Sequence, residues 1–203
     1  VNAQELIAHY DSVLAVNEWI LCNHIAWTVV EPIDGLHSVQ QIGDALSGVH
    51  DFHLEEVHVK EGMEDDEESP RIFLDFYEGG YFFFDTYDIT GTQERLASLL
   101  GESSFIWGIR WEAGAVQHRL FYSADGQVQM STTNVLRDPK LDETTALAEN
   151  IAAVRSAWWS TPGRYQDSAL LALISLTSGA LLSSDWLNST QNALVTENLR
   201  GSA

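Results

Sequence analysis

Histidines and carboxylates crowd one short stretch of this chain. His53 and His58 bracket Glu55 and Glu56, and His50 lies just upstream. Imidazole nitrogen with carboxylate oxygen is a ligand set for zinc and other divalent ions. If the stretch is a strand, side chains alternate, so His50, Glu56 and His58 share one face while His53 and Glu55 share the other. The spacing matches no named zinc motif, and Phe52 and Leu54 fall on the face of His50, Glu56 and His58. The expectation is therefore a strand with no ligand and no cofactor. His50, Glu56 and His58 are the residues to watch for a metal.

Two further pairs could carry chemistry. Asp75 and Asp85 resemble a two-carboxylate acid–base pair, which works only if both side chains converge on one point. They flank a hairpin, and its alternation puts them on opposite faces. Cys22 and His24 alternate correctly to share a face of a strand, which allows a thiolate–imidazole couple. Cys22 sits among Ile20, Leu21 and Ile25, where a free cysteine behaves as a small buried hydrophobe. The chain contains no G-x-S-x-G, H-E-x-x-H, C-x-x-C or P-loop signature. No catalytic residue is assigned, and the enzyme question leans toward no.

The acids are the strongest signal. The chain has 30 Asp and Glu against 10 Lys and Arg, a net of -20. Much of the excess falls between residues 51 and 100, whose only cations are Lys60, Arg71 and Arg95. Its densest part is Glu61, Glu64, Asp65, Asp66, Glu67 and Glu68. That run does not follow the D-x-[DN]-x-[DN]-G calcium loop. A field of this sign repels nucleic acid and anionic membrane and attracts basic protein surfaces. Those six acids are the expected partner-binding residues, set against the simpler reading of a solvated loop.

The elements that must position these residues follow from periodicity. Residues 3–16 place Leu6, Ile7, Tyr10, Val13 and Leu14 at helical spacing. A strand over 24–30, a short helix over 38–46 and a strand over 51–59 come next, followed by an acidic loop over 61–70. Two aromatic runs flank Gly79-Gly80 within 71–87 and predict a hairpin, with Asp75 opposite Phe84. Both its faces are apolar, which predicts a central position covered on both sides. A helix over 92–100 precedes a three-strand meander over 104–111, 115–122 and 127–132, with Phe105, Trp107, Ile109 and Trp111 on one face. The last third is helical, from 142 or 144 to 158, from 167 to 178, and briefly around Trp186 and Leu187. The tail from Asn192 reads as polar and frayed.

Strands followed by helices predict an α+β fold: an antiparallel sheet of about six or seven strands, with an N-terminal helix and a C-terminal helical segment packed on it. With 203 residues and 45% hydrophobic composition, a single domain over 1–203 is expected, its helical part spanning about 142–190 and its polar tail 192–203. The single cysteine excludes an intramolecular disulfide, and no disulfide framework favours a reducing, cytoplasmic setting. The N-terminal residues lack the basic and apolar regions of a secretory signal, and no apolar run is long enough to span a bilayer.

This order of elements resembles a family of actinobacterial proteins known as a domain of unknown function. The resemblance runs through the N-terminal helix, the 24–30 strand leading into the 38–46 helix and the GGY hairpin. It continues through RLFYSADG at 119–126 and LLALISLTSGALLSSDWL at 170–187. It implies a fold and a GC-rich source, and no activity or catalytic residues.

The function expected from these features is a non-catalytic acidic module that binds and neutralises a basic protein partner, as immunity proteins do for toxins. An enzyme or small-molecule binder is the alternative, with a pocket between the aromatic sheet and the C-terminal helices lined by Trp107, Trp111, Trp158 and Trp159. A further alternative is a housekeeping domain whose acidity reflects lineage or salt, since the only lysines are Lys60 and Lys140.

Overall fold

A computed structural model describes residues 1–22, 25–47, 53–64, 71–85, 100–111, 118–133, 136–137, 147–160 and 166–195. Helix α1 (Ala3–Val16) starts at a capping box. The Asn2 side chain accepts from the Glu5 N–H at 3.0 Å, and the Glu5 carboxylate accepts from the Asn2 N–H at 2.9 Å. Its buried stripe is Leu6, Ile7, Tyr10, Val13 and Leu14, joined by Ala3, as the spacing predicts.

The strands are β1 (Ile25–Pro32), β2 (His53–His58), β3 (Arg71–Tyr77), β4 (Gly80–Asp85), β5 (Ser104–Trp111), β6 (His118–Ala124), β7 (Gln127–Thr132) and β8 (Thr190–Val195). They form one antiparallel eight-stranded sheet in the order β2-β8-β3-β4-β1-β5-β6-β7. The helices are α2 (Val39–Ser47), α3 (Val59–Glu64), α4 (Ala148–Trp159), α5 (Gln166–Ser178) and α6 (Ser184–Leu187). The fold is α+β as expected, with a slightly larger sheet.

The β3–β4 hairpin occupies the middle, and its faces feed two separate cores. Phe73, Phe82 and Phe84 pack with Trp27, Ile109, α1, α5 and α6. Trp186 of α6 lies edge-on to all three phenylalanines, with ring centroids 5.2 to 6.4 Å apart. Ile72, Leu74, Tyr81 and Phe83 face the other way, toward Val30, Phe121 and the α2 residues Ile42 and Leu46. Two covered faces explain why the hairpin lacks the polar alternation of a half-exposed strand.

Four expectations change. The hairpin turn is Glu78-Gly79, not Gly79-Gly80: Tyr77 pairs with Gly80 and Asp75 with Phe82. Gly80 belongs to β4 because a Cβ there would stand 2.1 Å from the Val30 carbonyl oxygen. The face assignment survives, since a shift by two keeps every side chain on its side.

Second, residues 61–64 are not loop but the end of α3. Gly62 lets this helix press on the sheet, where a Cβ would meet Phe73 and Val57 side chains at 2.8 Å. Third, residues 18–22 form a 3-10 turn, so Cys22 precedes the strand rather than lying on it. Fourth, the tail does not fray from Asn192. It enters the sheet as β8 between β2 and β3, burying Ala193, Leu194 and Val195. Gln191 and Asn192 disguised it, because a strand flanked on both sides needs no long apolar run.

The Asp125-Gly126 turn behaves as its sequence predicts. Both residues take positive φ, 52° and 70°, the handedness that joins two antiparallel strands tightly. Residues 92–99 of the predicted 92–100 helix and the start of that over 142–158 lie outside the described residues.

Candidate functional site

The expected acidic site starts at the outer edge of the sheet. Strand β2 is the outermost strand on its side, and α3 follows it without a break. Glu56 and Glu61 are exposed. Glu64 closes α3, while Asp65, Asp66, Glu67 and Glu68 lie outside the described residues. The α3 backbone is held from below, where the Arg71 guanidinium donates to the Gly62 carbonyl at 3.2 Å. One of the few cations of this segment is thus turned inward against the backbone, leaving Glu61 outward. Charged side chains on an outermost strand also discourage pairing with another sheet.

Of the metal candidates, Glu56 and His58 share one face of β2, as the alternation predicts. His50 lies outside the described residues. His53 is exposed and bonds to Glu55 at 2.9 Å, on the face away from Glu56 and His58. His58 is half-buried, and its Nδ1 meets no hydrogen-bond partner. Among the described residues no group of three or more His, Cys, Asp or Glu could hold an ion. His24 lies outside the described residues, so the Cys22 couple gains nothing. Asp75 and Asp85 face opposite sides, Asp75 half-buried and Asp85 buried.

Trp107 and Trp111 belong to the core. Trp107 stacks on Tyr122 with centroids 4.1 Å apart, and the Trp111 indole donates to the Ile20 carbonyl at 3.4 Å. On α4, Trp158 is half-buried and Trp159 is 62% exposed. An open cavity of about 310 Å³ lies between α1 and the end of α5, lined by Leu6, Ser175, Leu176, Gly179, Ala180 and Leu181 together with Val1.

Two polar clusters that the sequence did not announce sit at one end of the sheet. There β1, β3 and β6 finish while β4, β5 and β7 begin. On the helical side, the Tyr77 hydroxyl donates to Glu31 at 3.4 Å. Burial raises the Glu31 carboxyl above its ordinary range, opposed by the Trp107 indole and the Tyr77 hydroxyl beside it. Burial and the neighbouring Glu31 charge raise the Tyr77 phenol.

On the other face, His37 bridges Tyr81 at 2.7 Å through Nδ1 and Ser103 at 3.2 Å through Nε2. Ser103 Oγ donates to the Leu100 carbonyl, so it accepts from Nε2–H, which leaves Nδ1 to accept from the Tyr81 hydroxyl. Burial lowers the His37 pKa, in keeping with this neutral ring. The chain of donors ends on a backbone oxygen. It holds the 33–38 segment in place and leaves Ser103 without a base.

These residues come from separate parts of the chain, and only their register brings them together, so no local motif could reveal them. Among the described residues no helix is long and apolar enough to cross a membrane. Compared with protein-family models, curated proteins and solved structures, the chain matches none.

Proposed function

We propose that this chain is a non-catalytic, cytoplasmic module that binds and neutralises a basic protein partner, in the manner of an immunity protein. The observation that carries the reading is the placement of Glu56 and Glu61, exposed on the outermost strand and on the helix that follows it. Acids so placed attract a basic surface from a distance and make the encounter sensitive to salt. The resemblance to a family without assigned activity is compatible with this reading. The test is binding to basic protein partners co-expressed with the full chain, with and without Ser at Glu61, Glu64, Asp65, Asp66, Glu67 and Glu68. The reading expects binding that weakens with added salt and with the substitution. Binding indifferent to both would refute it.

A second reading, a small-molecule binder, has one observation in its favour. Glu31 is a half-buried carboxyl between Tyr77 and the stacked Trp107–Tyr122 pair. A thermal-shift screen of small amines would support it if a hit lost its effect in Glu31→Gln.

A further inference from the structure

The segment 33–37 is held firmly, yet its apolar side chains point to solvent. The Ile33 N–H donates to the Ser103 carbonyl at 2.7 Å, and His37 reaches the Ser103 hydroxyl at 3.2 Å. Both ends are therefore tied to one residue, and Gly35 turns the chain between them with φ at 106°. In that frame Ile33 is 48% exposed and Leu36 is 64% exposed. Phe76 of β3 is 47% exposed on the same face as Tyr81. Tyr81 links them, with its ring centroid 6.1 Å from Phe76 and 6.0 Å from His37. Apolar side chains on an ordered frame bind without the entropy cost of ordering a loop.

The turns around this patch are acidic. Asp34, Glu78, Glu102 and Asp125 are all exposed at the same end of the sheet. No Lys or Arg occurs within residues 31–38, 75–81, 100–105 or 122–128. An apolar centre within a charged rim is the anatomy of a protein interface, where the centre supplies most of the binding energy and the rim supplies steering.

We infer that this end of the sheet is the anchoring surface for a basic protein partner that seats an apolar side chain between Leu36 and Phe76, with its lysines or arginines toward Asp34, Glu78 and Glu102. The inference rests on the reading of the chain as an acidic binding module and moves the contact centre away from α3. The acids of α3 then govern the rate of encounter, and the Leu36–Phe76 patch governs residence time.

The experiment uses the full chain labelled with nitrogen-15 and two synthetic peptides of equal charge. One has a leucine–phenylalanine pair flanked by lysines, and the other has serines in place of the pair. The expected result is about tenfold tighter binding of the apolar-centred peptide, with amide shifts at 33–37, 78–80 and 101–103. Leu36→Ser with Phe76→Ser removes that advantage. Asp34→Asn with Glu78→Gln and Glu102→Gln weakens both peptides and leaves the packed residues untouched. Equal binding of the two peptides, or shifts centred on Glu55, Glu56 and Glu61, overturns this surface and leaves the acidic module standing. Failure of both peptides to bind at low salt overturns the module itself and this surface with it.

Discussion

The Asp167 carboxylate in the first turn of α5 holds His118 Nε2 of β6 at 2.5 Å, and both side chains are largely buried. This pair fastens the largely buried helix α5 to the sheet. Removing one member leaves the other buried without its partner, a loss of about 1–3 kcal/mol. Asp167→Ala is expected to lower stability by that amount in urea unfolding. The double substitution with His118→Ala should cost less than the sum of the two singles.

Glu31 should act as a brake on stability at neutral pH. Its folded pKa lies above the ordinary 4.5, so the folded state binds the proton more tightly than the unfolded chain does. The resulting stabilisation is complete below about pH 4.5 and is lost as pH rises through the raised value. Glu31→Gln cannot ionise. It should melt higher than the parent chain at pH 7, with the difference shrinking toward pH 4, as differential scanning calorimetry would show.

His37 works in the opposite direction. Its folded pKa lies below the ordinary 6.5, so the unfolded chain binds the proton more readily. Its contribution is complete above about pH 6.5 and is lost as pH falls through the lowered value. Protonating Nδ1 also forces the Tyr81 hydroxyl to give up the bond it donates there. His37→Gln should therefore flatten the fall in unfolding free energy between pH 7 and pH 5.

Gly80 and Gly62 should rank clearly when each is changed to alanine. At Gly80 the added carbon meets a backbone carbonyl oxygen at 2.1 Å, so β1 and β4 must part. At Gly62 it meets two side chains at 2.8 Å, of which Phe73 is fully buried. Overpacking costs typically about 1–3 kcal/mol. Gly62→Ala is expected within that range and Gly80→Ala above it, measured as the shift in urea midpoint at constant slope.

Much of this fold can be read from periodicity. The α1 stripe, the two-faced β3–β4 hairpin and the Asp125-Gly126 turn are local patterns, and each predicts its own element. The misreadings share a cause, since tertiary neighbours decided them. Gly62 sits in a helix because Phe73 leaves room only for hydrogen, and Gly80 leaves the turn because Val30 lies too close. Asn192 starts no tail because β2 and β3 both need a neighbour. The candidate surface was less legible still. Its acids were visible as composition, but Phe76 lies on β3 and Leu36 beside His37, and only the Tyr81 ring between His37 and Phe76 relates the two elements.

The position of β8 constrains when the edge of the sheet can form. This strand is made long after β2 and β3, yet it lies between them and is the sheet neighbour of β2. Until residues 190–195 emerge from the ribosome, the histidine- and glutamate-bearing strand has nothing to pair with. Contacts so remote in sequence slow folding, because the loop between them must close before any contact rewards it. The acidic edge therefore cannot take its native pairing until β8 has been made, whatever the rest of the sheet has done by then.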